Sequence, residues 1–199
     1  MNTICTFLSL LLLTGLPVKD SARWLVEKTS SLAISGRTNI SSFTCGIPGY
    51  TEPDTITFTQ SGQAIALHGT MRLPVTGFDC HNKLMTADLR KTLRADRYPE
   101  LVIRLIDLER LPGAQSGTQN IKSGEQNIEG CVEITLAGIS RKFEIDYKIQ
   151  QSTTGSVTLT GARSICFTDF NLKPPTRMAG LVKVNDALNI LFTLNLKKL

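Results

Sequence analysis

Phe143, Ile145, Tyr147 and Ile149 alternate with Glu144, Asp146 and Lys148. A strict period of two gives extended backbone one dry face and one wet face, and it cannot give a helix a continuous apolar stripe. The stretch is therefore a half-buried antiparallel strand, and whatever surrounds it must supply the other side of a β core. The same period recurs with Val132, Ile134 and Leu136 against Glu133 and Thr135, and the segment LAGISRK between the two strands supplies a glycine-containing hairpin turn. Val157, Leu159 and Gly161 continue the series, and Ile190, Phe192, Leu194 and Leu196 close it. Upstream, Ile56 and Phe58, then Ile65 and Leu67, then Met71, Leu73 and Val75 read likewise, as do Leu101 and Ile103 in ELVIRLIDL. Strands spread along the whole chain with turns between them predict an all-β antiparallel barrel or sandwich, not βαβ units.

One helix interrupts the strands. Residues 82–96 place Met85, Leu89 and Leu93 on one stripe, with Arg90, Arg94 and Arg97 at helical spacing opposite and Lys91 beside them. Tyr98-Pro99 stops it. The basic side offers a foot for anionic lipid headgroups; an ordinary solvated helix face has the same pattern. Residues 113–127 (GAQSGTQNIKSGEQN) read as a long polar hairpin loop, and residues 171–183, with Pro174-Pro175, as an irregular crossing able to cover a barrel mouth.

Residues 4–16 are mostly apolar but too short for the ~20 residues of a membrane-spanning helix. They read as a secretory signal, cut after Ala22, although the segment before them has no Lys or Arg. Export would remove Cys5 and leave Cys45, Cys80, Cys131 and Cys166 in an oxidising space. Cys45 follows the strand-like TNISSFT and Cys80 ends LPVTGFD, so two strand ends at one rim bring these two together as the expected disulfide. Cys131 and Cys166 lie within strands, facing away from the apolar side, as free thiols. The alternative is that all four are reduced and merely packed.

The net charge of +5 is too small an excess to imply nucleic acid. No nucleotide-binding glycine pattern, GxSxG, HExxH or paired CxxC occurs, so neither a cofactor nor a metal is expected. Of the two histidines, His68 sits in a strand pattern. His81 adjoins Cys80, but neighbours in extended chain point to opposite sides, which is poor geometry for a nucleophile pair. Asn39-Ile40-Ser41 is a formal glycosylation triplet. Catalysis is the weaker reading.

Trp24, the helix followed by RYPELVIRLIDL, the hairpin GCVEITLAGISRKFEIDYKI, then GSVTLTGARSICFTDFNLKPP and the closing VNDALNILFTLNL stand in an order and spacing that resemble the YceI family of exported bacterial proteins. GRTNISSFTC and FDCHNKLM are similar to its Bacteroidetes-type branch. The resemblance runs across nearly all of residues 23–199. It implies a lipocalin-like, eight-stranded barrel behind a leader of residues 1–22, located in the periplasm or secreted, with a polyisoprenoid or other long-chain lipid as ligand. The chain departs from the common family opening in having LVEKTSSLAISGRTN after Trp24, without a His. It also has Thr168 and Asn171 beside Asp169 and Phe170, where an Arg and a Gly are usual.

An eight-stranded barrel is just wide enough to be filled by side chains or to hold one ligand. If the inward rows stop short of the axis, an apolar tunnel results. Its expected walls are Ile56, Phe58, Leu67 and Met71 from the first half, with Leu101 and Ile103 after the helix. Val132, Ile134, Phe143, Ile145 and Tyr147 come from the central hairpin, and Leu159, Phe192 and Leu194 from the last strands. Two functions follow from the two fillings. One is a non-enzymatic lipid-binding protein; the other is a periplasmic interaction or stress-response module with a packed barrel and no lipid.

Overall fold

The computed structural model describes residues 20–52, 54–61, 64–108, 126–151 and 156–199. Strands β1 (Asp20–Val26), β2 (Ser31–Thr38), β3 (Ser42–Ile47), β4 (Thr55–Ser61) and β5 (Ala64–Pro74) precede the helix α1 (Lys83–Thr92). After it come β6 (Glu100–Leu108), β7 (Gln126–Leu136), β8 (Ile139–Gln151), β9 (Val157–Cys166), the short β10 (Thr176–Arg177) and β11 (Val182–Lys198). Pairing runs β1, β4, β5, β6, β7, β8, β9, β11, and β11 returns to β1, so eight antiparallel strands close a barrel as expected. The alternating rows all point inward. Val132, Ile134, Ile145, Tyr147, Ile149, Val157, Leu159, Leu194 and Leu196 are buried, while Glu144, Asp146 and Lys148 lie on the outer wall.

The barrel closes differently at its two ends because β11 is long enough to serve two partners on one edge. At the lower end Leu196, Lys197 and Lys198 pair with Val26, Leu25 and Trp24 of β1. Higher up, Leu188, Ile190 and Phe192 pair with Gly36, Ile34 and Leu32 of β2, which carries β3 on its far side. Beyond β3 the ladder shrinks to one bridge, in which Gly46 and Asp79 exchange N–H···O bonds of 2.8 and 2.9 Å. Next to that bridge Cys45 and Cys80 form a disulfide. A covalent link thus fastens the upper seam where hydrogen bonds are few. TNISSFT, expected to be extended throughout, is instead the β2–β3 turn followed by β3. The Thr38 hydroxyl accepts from the backbone N–H of Ile40 and Ser41, a local bond that competes with the strand ladder.

The helix lies over the upper end. Asn82 caps it, its side chain accepting from the N–H of Leu84 and Met85. It ends at Thr92, four residues short of the expected boundary at 96, because Arg94 turns left-handed (φ 55°). Ala95 N–H then bonds the Arg90 carbonyl at 3.0 Å and Arg94 N–H that of Lys91 at 3.1 Å, the paired bonds of a Schellman stop. The β7–β8 hairpin turns on Ala137 and Gly138, both at positive φ as a two-residue type I′ turn requires, and the Tyr98 ring packs onto Gly138. Of the loop expected at 113–127, residues 113–125 lie outside the described residues, and Gln126 and Asn127 already belong to β7.

Candidate functional site: an apolar cavity in the upper barrel

Between the helix and the middle of the barrel lies a narrow apolar cavity of about 40 Å³. Ligand pockets commonly span ~300–1,000 Å³, so a chain that enters here must part the side chains that line the cavity. Its floor and walls are Leu101 and Ile103 of β6, Val132, Ile134 and Leu136 of β7, Ile145 of β8 and Phe192 of β11. Leu32 and Ile34 of β2 and Leu188 and Ile190 of β11 make the side with the second closure, and Leu89 and Leu93 of α1 form the roof with Phe78. Phe167, Phe170 and Leu172 complete it. Among the lining residues only Arg163 and Cys166 carry a polar group, and partial burial pushes the Cys166 thiol up, so it is uncharged at neutral pH. Such a surface offers a ligand no hydrogen-bonding pattern and no charge at depth. What it can hold is hydrocarbon.

The aromatic part of the roof is held by polar bonds outside the cavity. The Asp169 carboxylate accepts from Cys166 N–H at 2.7 Å, Thr168 N–H donates to Asp186 Oδ1 at 3.0 Å, and Arg141 Nε donates to the Asp169 carbonyl at 3.0 Å. These fix the tight turn that drives Phe167 and Phe170 inward, where Phe170 meets Phe143 at 6.0 Å between ring centroids. Asn171, in the left-handed conformation, ends the turn.

Of the residues expected to line a tunnel, the structure brings Leu101, Ile103, Val132, Ile134, Ile145 and Phe192 together on the cavity wall. Met71 and Leu194 line a smaller space of about 20 Å³ lower down, together with Ile103 and Phe192. Ile56, Leu67, Tyr147 and Leu159 are fully buried in the lower half, where they fill the barrel. Phe58 packs edge-on against Trp24 at 5.9 Å, and Tyr147 against Phe192 at 5.6 Å. The cavity is therefore a chamber in the upper half and not a tunnel through the whole barrel. Gly161 permits this packing, since a Cβ there would overlap the Phe192 ring. The lining contributed by β2 and by residues 165–172 was not anticipated, although alternation in LAIS and the apolar positions of SICFTDFNL carry the signal.

Cys80 is in the disulfide and His81 is exposed beside Asp79, so the adjacent pair holds no free thiol. Cys131 and Cys166 are free; Cys166, expected to face away from the apolar side, instead lines the cavity because the chain leaves β9 for the tight turn there, and burial is the main influence raising the Cys131 thiol as well. Among the described residues no three His, Cys, Asp or Glu side chains are grouped to hold a metal ion. The basic stripe of the helix is partly turned inward. Arg90 donates to the carbonyls of Thr76 and Phe78, and Arg94 to that of Asn171, which ties α1 to the segments beside it.

Known proteins give the same architecture. The barrel is similar to a polyisoprenoid-binding domain from Saccharophagus degradans implicated in plant cell wall breakdown, with a TM-score of 0.62 at 12% identity over 90% of this chain and 100% of that one. It is also similar to BcnA of Burkholderia cenocepacia, with a TM-score of 0.57 at 16% identity over 83% of this chain and 94% of the other. No curated protein matches the sequence. The YceI-like domain profile matches residues 24–196, from the tryptophan of β1 to the leucine where β11 meets it, so the chain belongs to the YceI-like family.

Proposed function

We propose that this protein is an exported, non-enzymatic lipid-binding protein that holds an isoprenoid or fatty-acyl chain in the upper chamber of its barrel. The observation that carries the reading is the apolar lining of the cavity beneath the helix, which offers no hydrogen-bonding group at depth, in a barrel whose lower half is filled by side chains. Each methylene taken from water contributes about 0.8 kcal/mol, so a dozen or more offset the ~4–15 kcal/mol cost of immobilising the ligand. The polyisoprenoid-binding domain that shares the fold supports this class of cargo. The Cys45–Cys80 bond and the apolar run at residues 4–16, ahead of β1, support passage to an oxidising compartment, periplasmic or extracellular. Leu101, Ile103, Val132, Ile134, Ile145 and Phe192 are assigned to the bound chain, and the polar end of the lipid stays outside.

The test is Ile134→Trp, which fills the chamber from the middle of β7. Lipid recovered per protein by organic extraction should fall about tenfold while the far-UV spectrum is retained. Equal lipid content in variant and wild type would place the lipid elsewhere. The packed interaction module is the reading that gains if wild-type protein carries no lipid at all.

A further inference from the structure

Four of the large hydrophobic side chains that are most exposed gather at the upper end: Leu181 at 73%, Met178 at 72%, Ile40 at 71% and Leu84 at 64%. Named polar contacts hold them together. Arg177 pairs with Asp88 and donates to the Leu84 carbonyl at 2.8 Å, which brings the turn carrying Met178 to the first turn of α1. The Asn39 side chain donates to the Leu181 carbonyl at 2.9 Å and accepts from Lys183 N–H at 2.9 Å, which brings the β2–β3 turn with Ile40 to Leu181. Between these points Met178, Ala179 and Gly180 run left-handed in succession (φ 51°, 52° and 90°). Two of the three carry a Cβ, so the turn stores strain in a conformation that presents Met178 and Leu181 to solvent.

The three segments that carry the tips, residues 37–41, 82–85 and 176–184, contain Arg37, Lys83, Lys183 and Arg177, the last neutralised by Asp88, and no Asp or Glu of their own. An apolar cluster ringed by cations complements one surface above others, a bilayer with anionic headgroups. A groove of about 210 Å³ opens among these segments, lined by Leu84, Met85, Phe43, Pro175 and Val182 with the paired Asp88 and Arg177, and it shares Leu89 and Phe167 with the barrel chamber. The surface patch and the interior cavity are thus separated by the same two side chains.

We infer that this end of the barrel docks on an anionic lipid bilayer, with Ile40, Leu84, Met178 and Leu181 entering the interface and the groove facing the lipid. The docking stands on the surface residues alone; only the use of the groove as the way into the chamber rests on the lipid-binding reading.

The experiment is co-sedimentation of the purified protein with vesicles of phosphatidylethanolamine and phosphatidylglycerol, against vesicles of phosphatidylcholine alone. Wild type should pellet with the anionic vesicles, less so at high salt. The Leu84→Ser/Leu181→Ser variant should lose binding about tenfold or more, because two leucines no longer leave water. Its thermal stability should match wild type, both residues being exposed already. Lys83→Glu/Lys183→Glu should lose binding without touching the apolar tips. Leu191→Ser, which changes a leucine exposed to 49% on the barrel wall, should bind like wild type. Wild type remaining in the supernatant, or both double variants binding undiminished, would overturn the proposal; a protein partner for the patch would then be the remaining explanation. Extracting the same preparations for lipid separates this from the cargo question, since a protein can carry lipid without pelleting or pellet without carrying any.

Discussion

Tyr147 and Arg90 hold the buried side-chain polar atoms, the Tyr147 hydroxyl and Arg90 Nε, that have no hydrogen-bond partner among the described residues. Burial is the main cause that pushes the Tyr147 phenol above its ordinary pKa of 10, with the charges of Cys131 and Asp107 adding to it. A raised pKa means the folded state prefers the protonated phenol. That contribution is complete below pH 10 and is lost as pH rises beyond it. Tyr147→Phe removes a hydroxyl that has lost water and gained nothing, so it should leave stability unchanged or raise it by about 1 kcal/mol in urea unfolding. It should also flatten part of the decline in melting temperature above pH 10; Tyr50, raised by burial and by Asp54, keeps the rest. A large loss of stability would mean that the hydroxyl has a partner in solution. Gly161→Ala should cost about 1–3 kcal/mol by pressing a methyl into the Phe192 ring, and Phe192→Leu in the same chain should recover part of it.

At the scale of elements, alternation made most of the barrel legible, because a strand with one wet face writes its register into the sequence. Glu144, Asp146 and Lys148 could face only outward, and the rows beside them only inward. The amphipathic stripe of α1 was equally plain, and Leu89 and Leu93 do form the chamber roof. Three things were hidden. The helix end depends on Arg94 adopting a conformation usual for glycine, which residue type does not signal. The β2–β3 hairpin depends on a side-chain bond from Thr38, and the second closure depends on β11 switching partners along one edge, a pairing choice that hydrophobic pattern does not encode. The inner rows look alike along the barrel, so nothing in their spacing says that the apolar cavity sits beneath the helix instead of running along the whole axis. Because the upper seam has one bridge and one disulfide, Cys45→Ser/Cys80→Ser should lower stability by about 3–4 kcal/mol for a loop of 35-residue separation. Thermal unfolding with and without reductant checks the same point: reductant should lower the wild-type midpoint and leave the double variant unmoved.

For the whole molecule, the fold divides one barrel into a solid base and a top with a narrow apolar cavity beneath its helix. The base, with Ile56, Leu67, Tyr147 and Leu159 in contact with the core, supplies stability without a ligand. The top, roofed by a helix and an aromatic turn that polar bonds hold from outside, keeps an apolar cavity at the end of the barrel where exposed apolar side chains and cations gather, and the proposed hydrocarbon chain would part its walls there. Mass spectrometry of lipids extracted from the protein purified out of its own compartment tests that division most directly. The account predicts a long-chain isoprenoid or acyl lipid that is depleted in Ile134→Trp. Protein free of lipid, with no thermal shift on addition of polyprenyl or acyl lipids, would contradict it.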